Sequence, residues 1–232
     1  MKKLSNDFNF ACQRTACCCQ KMEIFLNPYD ILKIAETLKL STTKVINKYI
    51  TFLEDRETNL FRPILKDARK EACAFNTDKL CIIHQNRPLS CRLFPLARIN
   101  GELKLQKINF CEGLKVQHKV KLADYIKEDD GIEYFAMADL YHEKYKVLKK
   151  LKKEILRDKY FQNLLNILLY DFEYFYGDDL HHLNSKEKIN LSFFLVDKLI
   201  EIYQLNMVKS REKIIEKLFL EGDKFIVENF NQ

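Results

Sequence analysis

All eight cysteines of this 232-residue chain lie between residues 12 and 111, and the second half has none. The chain is 47% hydrophobic, which is enough to fill a sizeable core without covalent cross-links. Bulk stability therefore does not account for the cysteines. Their confinement predicts two domains, a cysteine-rich one over residues 1–113 with a local chemical role and a second one over residues 114–232.

The N-terminal sequence favours a reducing compartment. It contains Lys2 and Lys3 but no apolar run of the length found in a secretory signal, and no later stretch is long enough to span a bilayer. We therefore expect a cytoplasmic protein without membrane insertion. In that compartment clustered thiols bind metal or carry out redox chemistry, and disulfide bridges are the alternative.

The net charge of +6 belongs to one segment. Residues 144–159 hold eight lysines and arginines against Glu154 and Asp158, so the rest of the chain is balanced. A solvated helix face is the ordinary interpretation, and an acidic partner, a membrane surface or nucleic acid are the alternatives. Because the excess is local, nucleic-acid binding is not indicated, and the expected partner is an unidentified protein partner or substrate.

Short elements are predicted in the first half. Asn27 and Pro28 indicate the start of a helix, and a second helix is predicted from Ser41 through Phe52. Runs such as LFRPIL, ACAF and LCII predict short strands between residues 60 and 110. Asn100-Gly101 predicts a hairpin turn, because both residues tolerate the positive φ that such a turn requires.

Long helices are predicted beyond Gly113, at residues 115–128, 132–157, 159–176, 186–206 and 209–229. The expected buried stripe of the second helix consists of Leu140, Val147, Leu148, Leu151 and Ile155. The expected fold class is α+β and mostly helical, with a small cysteine-rich α/β half followed by a helical half.

The cysteines indicate a thiolate metal site. The candidate ligands are Cys12, Cys17, Cys18, Cys19, Cys73, Cys81, Cys91 and Cys111. Four thiolates suit zinc or the irons of a cluster, and the spacing matches neither paired zinc ligands nor the ferredoxin motif. In an extended chain three consecutive cysteines cannot face one side. Eight thiols also exceed one tetrahedral site, so two centres, or one centre with spare thiols, are both open.

Positively charged and imidazole side chains accompany the cysteines. Arg87 and Arg92 are the predicted cofactor-binding residues, since guanidinium N–H groups offset thiolate charge and would raise a cluster's reduction potential. Arg14 and Arg98 lie near candidate ligands too, with ordinary surface arginines as the alternative. Two further candidate metal sites are His84, and the pair His181 and His182 beside Asp178 and Asp179; packing and a polar loop are the simpler interpretations.

Three segments resemble a known family. They are FACQRTACCC at residues 10–19, RPLSCRLFP at 87–95 and FCEG at 110–113, together with Cys73 and Cys81 between them. Over about residues 8–113 the chain resembles the zinc- or iron-chelating cysteine-cluster family, often called the YkgJ family, whose hallmark is CxxCxxCC. The second cysteine of that hallmark falls on Thr15 here, so Cys17 is expected to take over the missing ligand role.

The resemblance implies iron-sulfur or zinc binding, with a redox, electron-transfer or cluster-handling role. An iron-sulfur cluster is the expected cofactor and zinc is the alternative. The chain is also similar to the cysteine-rich part of flagellin lysine N-methylases, which implies methyl transfer from S-adenosylmethionine as a second function, although no glycine-rich nucleotide loop accompanies it. A zinc-stabilised interaction module without catalysis is the third.

Overall fold

The computed structural model describes residues 2–3, 7–13, 15–66, 73–77, 80–99, 102–205 and 210–230. The first half contains β1 (Lys2–Lys3), β2 (Asp7–Asn9), α1 (Cys18–Lys21), α2 (Pro28–Leu38), α3 (Thr42–Tyr49), β3 (Ile50–Asp55), β4 (Leu60–Leu65), β5 (Asn76–Thr77), β6 (Leu80–Cys81), α4 (Leu89–Leu93), β7 (Leu96–Ile99) and β8 (Glu102–Leu105). The second half contains β9 (Lys119–Lys121), α5 (Leu122–Lys127), α6 (Gly131–Lys149), α7 (Lys153–Arg157), α8 (Lys159–Tyr170), α9 (Phe172–Tyr176), α10 (Ser185–Gln204) and α11 (Arg211–Asn229). The fold is α+β and mostly helical, as predicted.

Helix α2 begins where the sequence predicts. The Asn27 side chain accepts a hydrogen bond from the Asp30 N–H, and the Asp30 carboxylate accepts one from the Asn27 N–H, which makes a reciprocal capping box. Pro28 occupies the first helical position, where its missing N–H is not needed. Ile31 and Ile34 are fully buried, so one face of α2 forms part of the core.

Helix α3 is capped by Ser41, as predicted, but it ends at Tyr49. The prediction that it continues through Phe52 is wrong, because residues 50–55 form β3. This strand pairs antiparallel with β4, from Ile50 opposite Leu65 to Asp55 opposite Leu60. The β-branched and aromatic residues of the segment suit a strand, and the ladder satisfies the backbone groups of both strands.

The predicted hairpin of the first half is present. Strands β7 and β8 pair antiparallel with Ile99 opposite Glu102, and β1 pairs with the other edge of β8. Residues 100 and 101, where the turn is predicted, lie outside the described residues. The expected strand over ACAF is wrong for its described part, since residues 73–75 form a turn that leads into β5.

Helices α10 and α11 confirm the helices predicted at 186–206 and 209–229, with α10 ending at Gln204 and α11 beginning at Arg211; residues 206–209 lie outside the described ones. The predicted helix over residues 115–128 is only partly correct, because Lys119–Lys121 form β9 and only Leu122–Lys127 are α-helical. Strand β9 pairs antiparallel with β2, with Val120 opposite Phe8. This pairing draws residues 119–121 out of the helix.

The predicted helix over residues 132–157 is interrupted. Helix α6 ends at Lys149 and α7 starts at Lys153. The break allows Leu148, Leu151 and Leu156 all to be buried. The predicted stripe is wrong at two positions, since Leu140 and Val147 are 44% and 47% exposed. Tyr134 and Met137 are buried instead, together with Leu148.

The predicted helix over residues 159–176 is also interrupted, at Asp171 between α8 and α9. The Asp171 carboxylate accepts hydrogen bonds from the Thr42 and Thr43 hydroxyls at 2.7 and 2.9 Å. These bonds tie the start of α3 to the junction of the two helices. The interruption therefore has a tertiary cause that the local sequence does not contain.

The helices of the second half pack against the cysteine-rich half. Tyr134 of α6 is 1% exposed and meets the Tyr29 ring of α2 edge-on, with the ring centroids 5.0 Å apart.

Within the lysine-rich segment Lys146 pairs with Glu143 and Lys149 with Asp55. The predicted domain boundary at residue 113 stays a prediction. Across the described part of the chain, every helix is too short or too polar to cross a membrane.

Candidate metal centre

The three consecutive cysteines lie on a turn of helix rather than on an extended chain. Ala16 has a positive φ of 57°, and α1 begins directly after Cys17, with the Cys19 N–H donating to the Ala16 carbonyl at 3.0 Å. The Cys18 and Cys19 sulfur atoms are 4.0 Å apart. The sulfur atom of Cys17 instead contacts the Thr15 carbonyl oxygen at 3.8 Å. The Cys17 sulfur atom thus has a different contact from the paired sulfur atoms of its two neighbours.

Backbone hydrogen bonds bring Cys73 and Cys81 to this turn. The Cys73 N–H donates to the Cys19 carbonyl at 2.7 Å. A turn after Cys73 leads into β5, whose Asn76 lies opposite Cys81 in the antiparallel pair of β5 and β6. Cysteines that are distant in sequence are thus held beside the Cys18–Cys19 pair by main-chain contacts.

Cys91 is carried by the short helix α4. Its N–H donates to the Pro88 carbonyl at 2.9 Å. The start of α4 is fixed from α2, because the Leu89 N–H donates to the Asp30 carboxylate at 2.9 Å. The sequence interpretation missed this bond between Asp30 and the start of α4. The only sequence signal at Asp30 was its place in the capping segment NPYD.

The thiols are close enough to influence one another's ionisation. Burial raises the pKa of Cys91, and the charges of Cys73, Cys18 and Cys81 raise it further. Burial likewise raises the pKa of Cys73, with the charges of Cys81 and Cys18 adding to it. The four thiols of Cys18, Cys73, Cys81 and Cys91 therefore form one electrostatic group, which we call the thiol group.

Cys18 and Cys19 form a hydrogen-bonded pair beside the other thiols. The hydrogen bond between their sulfur atoms lowers the pKa of Cys18 to about 7 and raises that of Cys19. The charges of Cys73 and Cys91 also act on Cys19, which places it beside the thiol group.

Cys12 and Cys111 lie together at one side. The Ala11 N–H donates to the Gly113 carbonyl at 3.0 Å, which aligns the two segments. Burial raises the pKa of Cys111, and the charges of Cys18 and Cys12 raise it further. Cys12 is exposed, whereas Cys111 is 8% exposed. All eight cysteines are free thiols.

The two predicted cofactor-binding arginines have different surroundings. Arg87 donates to the His84 carbonyl at 2.9 Å, and its charge opposes the rise that burial causes in the pKa of Cys81. Arg92 donates to the Arg87 carbonyl at 2.9 Å and to the Gln85 carbonyl, with its guanidinium 3.8 Å from the centre of the Tyr134 ring. Arg87 thus acts on the thiols, while these contacts of Arg92 hold the loop before Cys91.

The remaining predicted candidates are placed as follows. Arg98 pairs with Asp139, and Arg14 lies outside the described residues. The ring of His84 lies against the Arg87 guanidinium, with Nδ1 at 3.2 Å. The side chains of Asp178 and Asp179 lie outside those described. Over the described residues, no three histidine, cysteine, aspartate or glutamate side chains converge as the ligands of a single metal ion do.

The donor set fits a thiolate-bound metal. Burial and mutual charge make simultaneous ionisation of the thiol group unfavourable in the protein alone. A bound cation would reverse that balance, because metal-bound thiols are deprotonated. The thiols of Cys18, Cys73, Cys81 and Cys91 would hold such a metal. It would supply a redox-active centre if it is iron, or a structural one if it is zinc.

The class of protein follows from comparison with protein families. Residues 11–120 match the family described as a zinc- or iron-chelating domain with the CxxCxxCC motif. The match confirms the resemblance of this cysteine-rich part of the chain to that family and supports metal binding. A search of curated proteins finds no match, and neither does a search of solved structures.

Proposed function

We propose that this protein binds an iron-sulfur cluster through its cysteine-rich half and uses it in electron transfer, other redox chemistry or cluster handling. The observation that carries the proposal is that cysteines distant in sequence are held together, with the Cys73 N–H donating to the Cys19 carbonyl at 2.7 Å and the Cys18 and Cys19 sulfur atoms 4.0 Å apart. Four soft, half-buried ligands are the kind of donor set that such a cluster requires.

The other cysteines have distinct proposed roles. Cys19 is proposed as a spare thiol beside Cys18, since their sulfur atoms are 4.0 Å apart. Cys12 and Cys111 are proposed as ligands of a second, smaller site, or as spare thiols that can replace a ligand of the first site. For Cys17 the ligand role stays a prediction, and its contact with the Thr15 carbonyl does not favour it.

Arg87 is proposed to interact with the cluster. Its positive charge acts on Cys81 and Cys18, so it would offset the negative charge of bound thiolates. Such compensation favours the reduced form of a cluster and raises its potential. A reducing cytoplasmic location is also proposed, because thiols stay reduced there and can bind metal.

Isolation without oxygen tests the proposal. We expect brown protein that absorbs near about 400 nm, with iron and acid-labile sulfide bound in stoichiometric amounts. Colourless protein with stoichiometric zinc would support the zinc-stabilised interaction module instead and refute the cluster. Methyl transfer stays a prediction that rests on resemblance, and incubation with flagellin and labelled S-adenosylmethionine would test it.

A further inference from the structure

Asn76 lies directly opposite Cys81 in the pair of strands β5 and β6. Directly opposed residues of an antiparallel pair project from the same face, with their Cβ atoms about 4.5–5.5 Å apart. The other opposed pair, Thr77 and Leu80, is exposed, and Leu80 is 65% exposed. Asn76 and Cys81 are half-buried. Register and exposure therefore agree that the Asn76 side chain lies on the inward face with the Cys81 thiol.

The side-chain oxygen of Asn76 is buried and has no hydrogen-bond partner among the described residues. A buried polar atom without a partner costs about 1–3 kcal/mol of stability. The oxygen and the NH2 group of a side-chain amide have nearly the same shape. Rotating the Asn76 amide by a half-turn therefore puts an N–H donor where the inward oxygen lies. A metal-bound thiolate accepts hydrogen bonds and donates none. The donor end of Asn76 is thus the end that matches a loaded centre.

We propose that Asn76 is a positioning residue of the metal centre, whose side-chain N–H donates a hydrogen bond to the Cys81 thiolate when metal is bound. The inference rests on the proposed function and deepens it. A donor at this place fixes the orientation of the ligand and withdraws negative charge from its sulfur atom. In an iron-sulfur centre it also contributes to a higher reduction potential.

Anaerobic titration of the metal-free protein with Co²⁺ tests this role, because cobalt bound to thiolates gives a sulfur-to-metal charge-transfer band. Asn76→Asp keeps the shape of the side chain and removes the N–H, while Asn76→Ala removes the whole amide. We expect both variants to bind Co²⁺ about ten- to a hundredfold more weakly than the wild type. Their charge-transfer band should move to longer wavelength, since an unbonded thiolate gives up electron density more easily. Thr77→Ala, on the exposed face of the same strand, should match the wild type.

Thermal unfolding of the metal-free forms separates this role from a merely structural one. Removing an unpartnered polar atom should leave the melting temperature of Asn76→Ala unchanged or higher. If the amide instead stabilised the metal-free fold, its removal would lower that melting temperature. Wild-type affinity and band position in both Asn76 variants would overturn the inference alone. Absence of a charge-transfer band in the wild-type protein would overturn the assignment of these thiols as ligands of a metal ion, and the inference with it, while the iron and sulfide analysis tests the proposed function separately.

Discussion

The Asp30 carboxylate accepts a hydrogen bond from the backbone N–H of Leu89 at 2.9 Å, across 59 positions of the chain. Its other oxygen accepts from the Asn27 N–H and completes the cap of α2. One buried side chain thus joins the start of α2 to the first residue of α4. Cys91 lies two residues further on, so this bond fixes the approach of a candidate ligand.

Replacement of Asp30 by Asn should destabilise the protein. An amide offers one acceptor atom where the carboxylate offers two, so one of the two backbone N–H groups loses its partner. We expect the free energy of unfolding to fall by about 1–3 kcal/mol, measured by urea denaturation. Asp124→Asn, at an exposed position, is the control. Equal stability of the two variants would contradict a structural role for the Asp30 bonds.

The contribution of Asp30 should depend on pH. Burial raises the pKa of Asp30 to about 7, against the opposing effects of its two backbone hydrogen bonds and the Arg92 charge. In the unfolded chain this carboxyl is protonated only below about pH 4, whereas in the folded protein it stays protonated up to about pH 7. Between these two values its protonation therefore favours the folded state. That stabilisation is fully present below the unfolded pKa and is lost as the pH rises through about 7.

The measurement compares wild type with Asp30→Asn, which cannot titrate at this position. Their difference in unfolding free energy should be larger at about pH 5.5 than at about pH 8. The nearby Arg92 is present in both proteins, and so are Cys91 and Tyr134, whose titration therefore largely cancels in the difference. A difference that is constant over this range would show that Asp30 keeps its charge in the folded protein.

Gly113→Ala should weaken the contact between the Cys12 and Cys111 segments. An added Cβ would lie 2.6 Å from the Ala11 carbonyl oxygen and 2.8 Å from the Phe10 ring. The backbone cannot move away cheaply, since Ala11 is bonded to Gly113 itself. We expect a loss of about 1–3 kcal/mol in thermal unfolding experiments. Glu112→Ala, at the exposed neighbouring position, should cost much less, and a similar loss there would refute the steric argument.

Cys91→Ser should lower the bound metal and the melting temperature together, because formation of the site is linked to folding. Metal content is measured by elemental analysis of protein isolated without oxygen. Cys17→Ser, measured beside it, tests the predicted ligand role of Cys17, whose sulfur atom contacts the Thr15 carbonyl at 3.8 Å. Unchanged metal in Cys91→Ser would contradict the proposed ligand assignment.

Arg92→Lys should destabilise the loop before Cys91. Lysine cannot reproduce the planar fork that reaches the carbonyls of Gln85 and Arg87 while lying against Tyr134. We expect a loss of about 1.5–3 kcal/mol in urea denaturation, the range for hydrogen bonds to a charged group. Arg98→Lys keeps a surface pair with Asp139 and should change stability little. Equal effects of the two changes would argue against a structural role of Arg92.

Elements with a local signal were predicted correctly from the sequence. Asn27 and Ser41 cap the helices that they were expected to begin, and the strands around residues 100 and 101 pair as a hairpin. These features depend on residues that are adjacent in the chain. The predicted fold class is correct for the same reason, since it follows from the distribution of such local signals.

Elements that depend on distant contacts were not predicted. Residues 50–55 become a strand because β4 offers a partner, and the helix expected over residues 159–176 breaks where Asp171 binds Thr42 and Thr43. The cysteines were identified as a set, but their grouping was not. The positive φ of Ala16 precedes the helical turn on which the sulfur atoms of Cys18 and Cys19 pair, and no residue pattern indicated that turn.

The antiparallel pairing of β2 with β9 has a practical consequence for dissecting the molecule. A fragment cut at residue 113 would remove the partner of β2 and the α6 side chains that cover α2, leaving an open strand edge and an uncovered apolar helix face. Such a fragment should aggregate when expressed alone. A minimal metal-binding fragment would therefore need to extend through the end of α6, at Lys149.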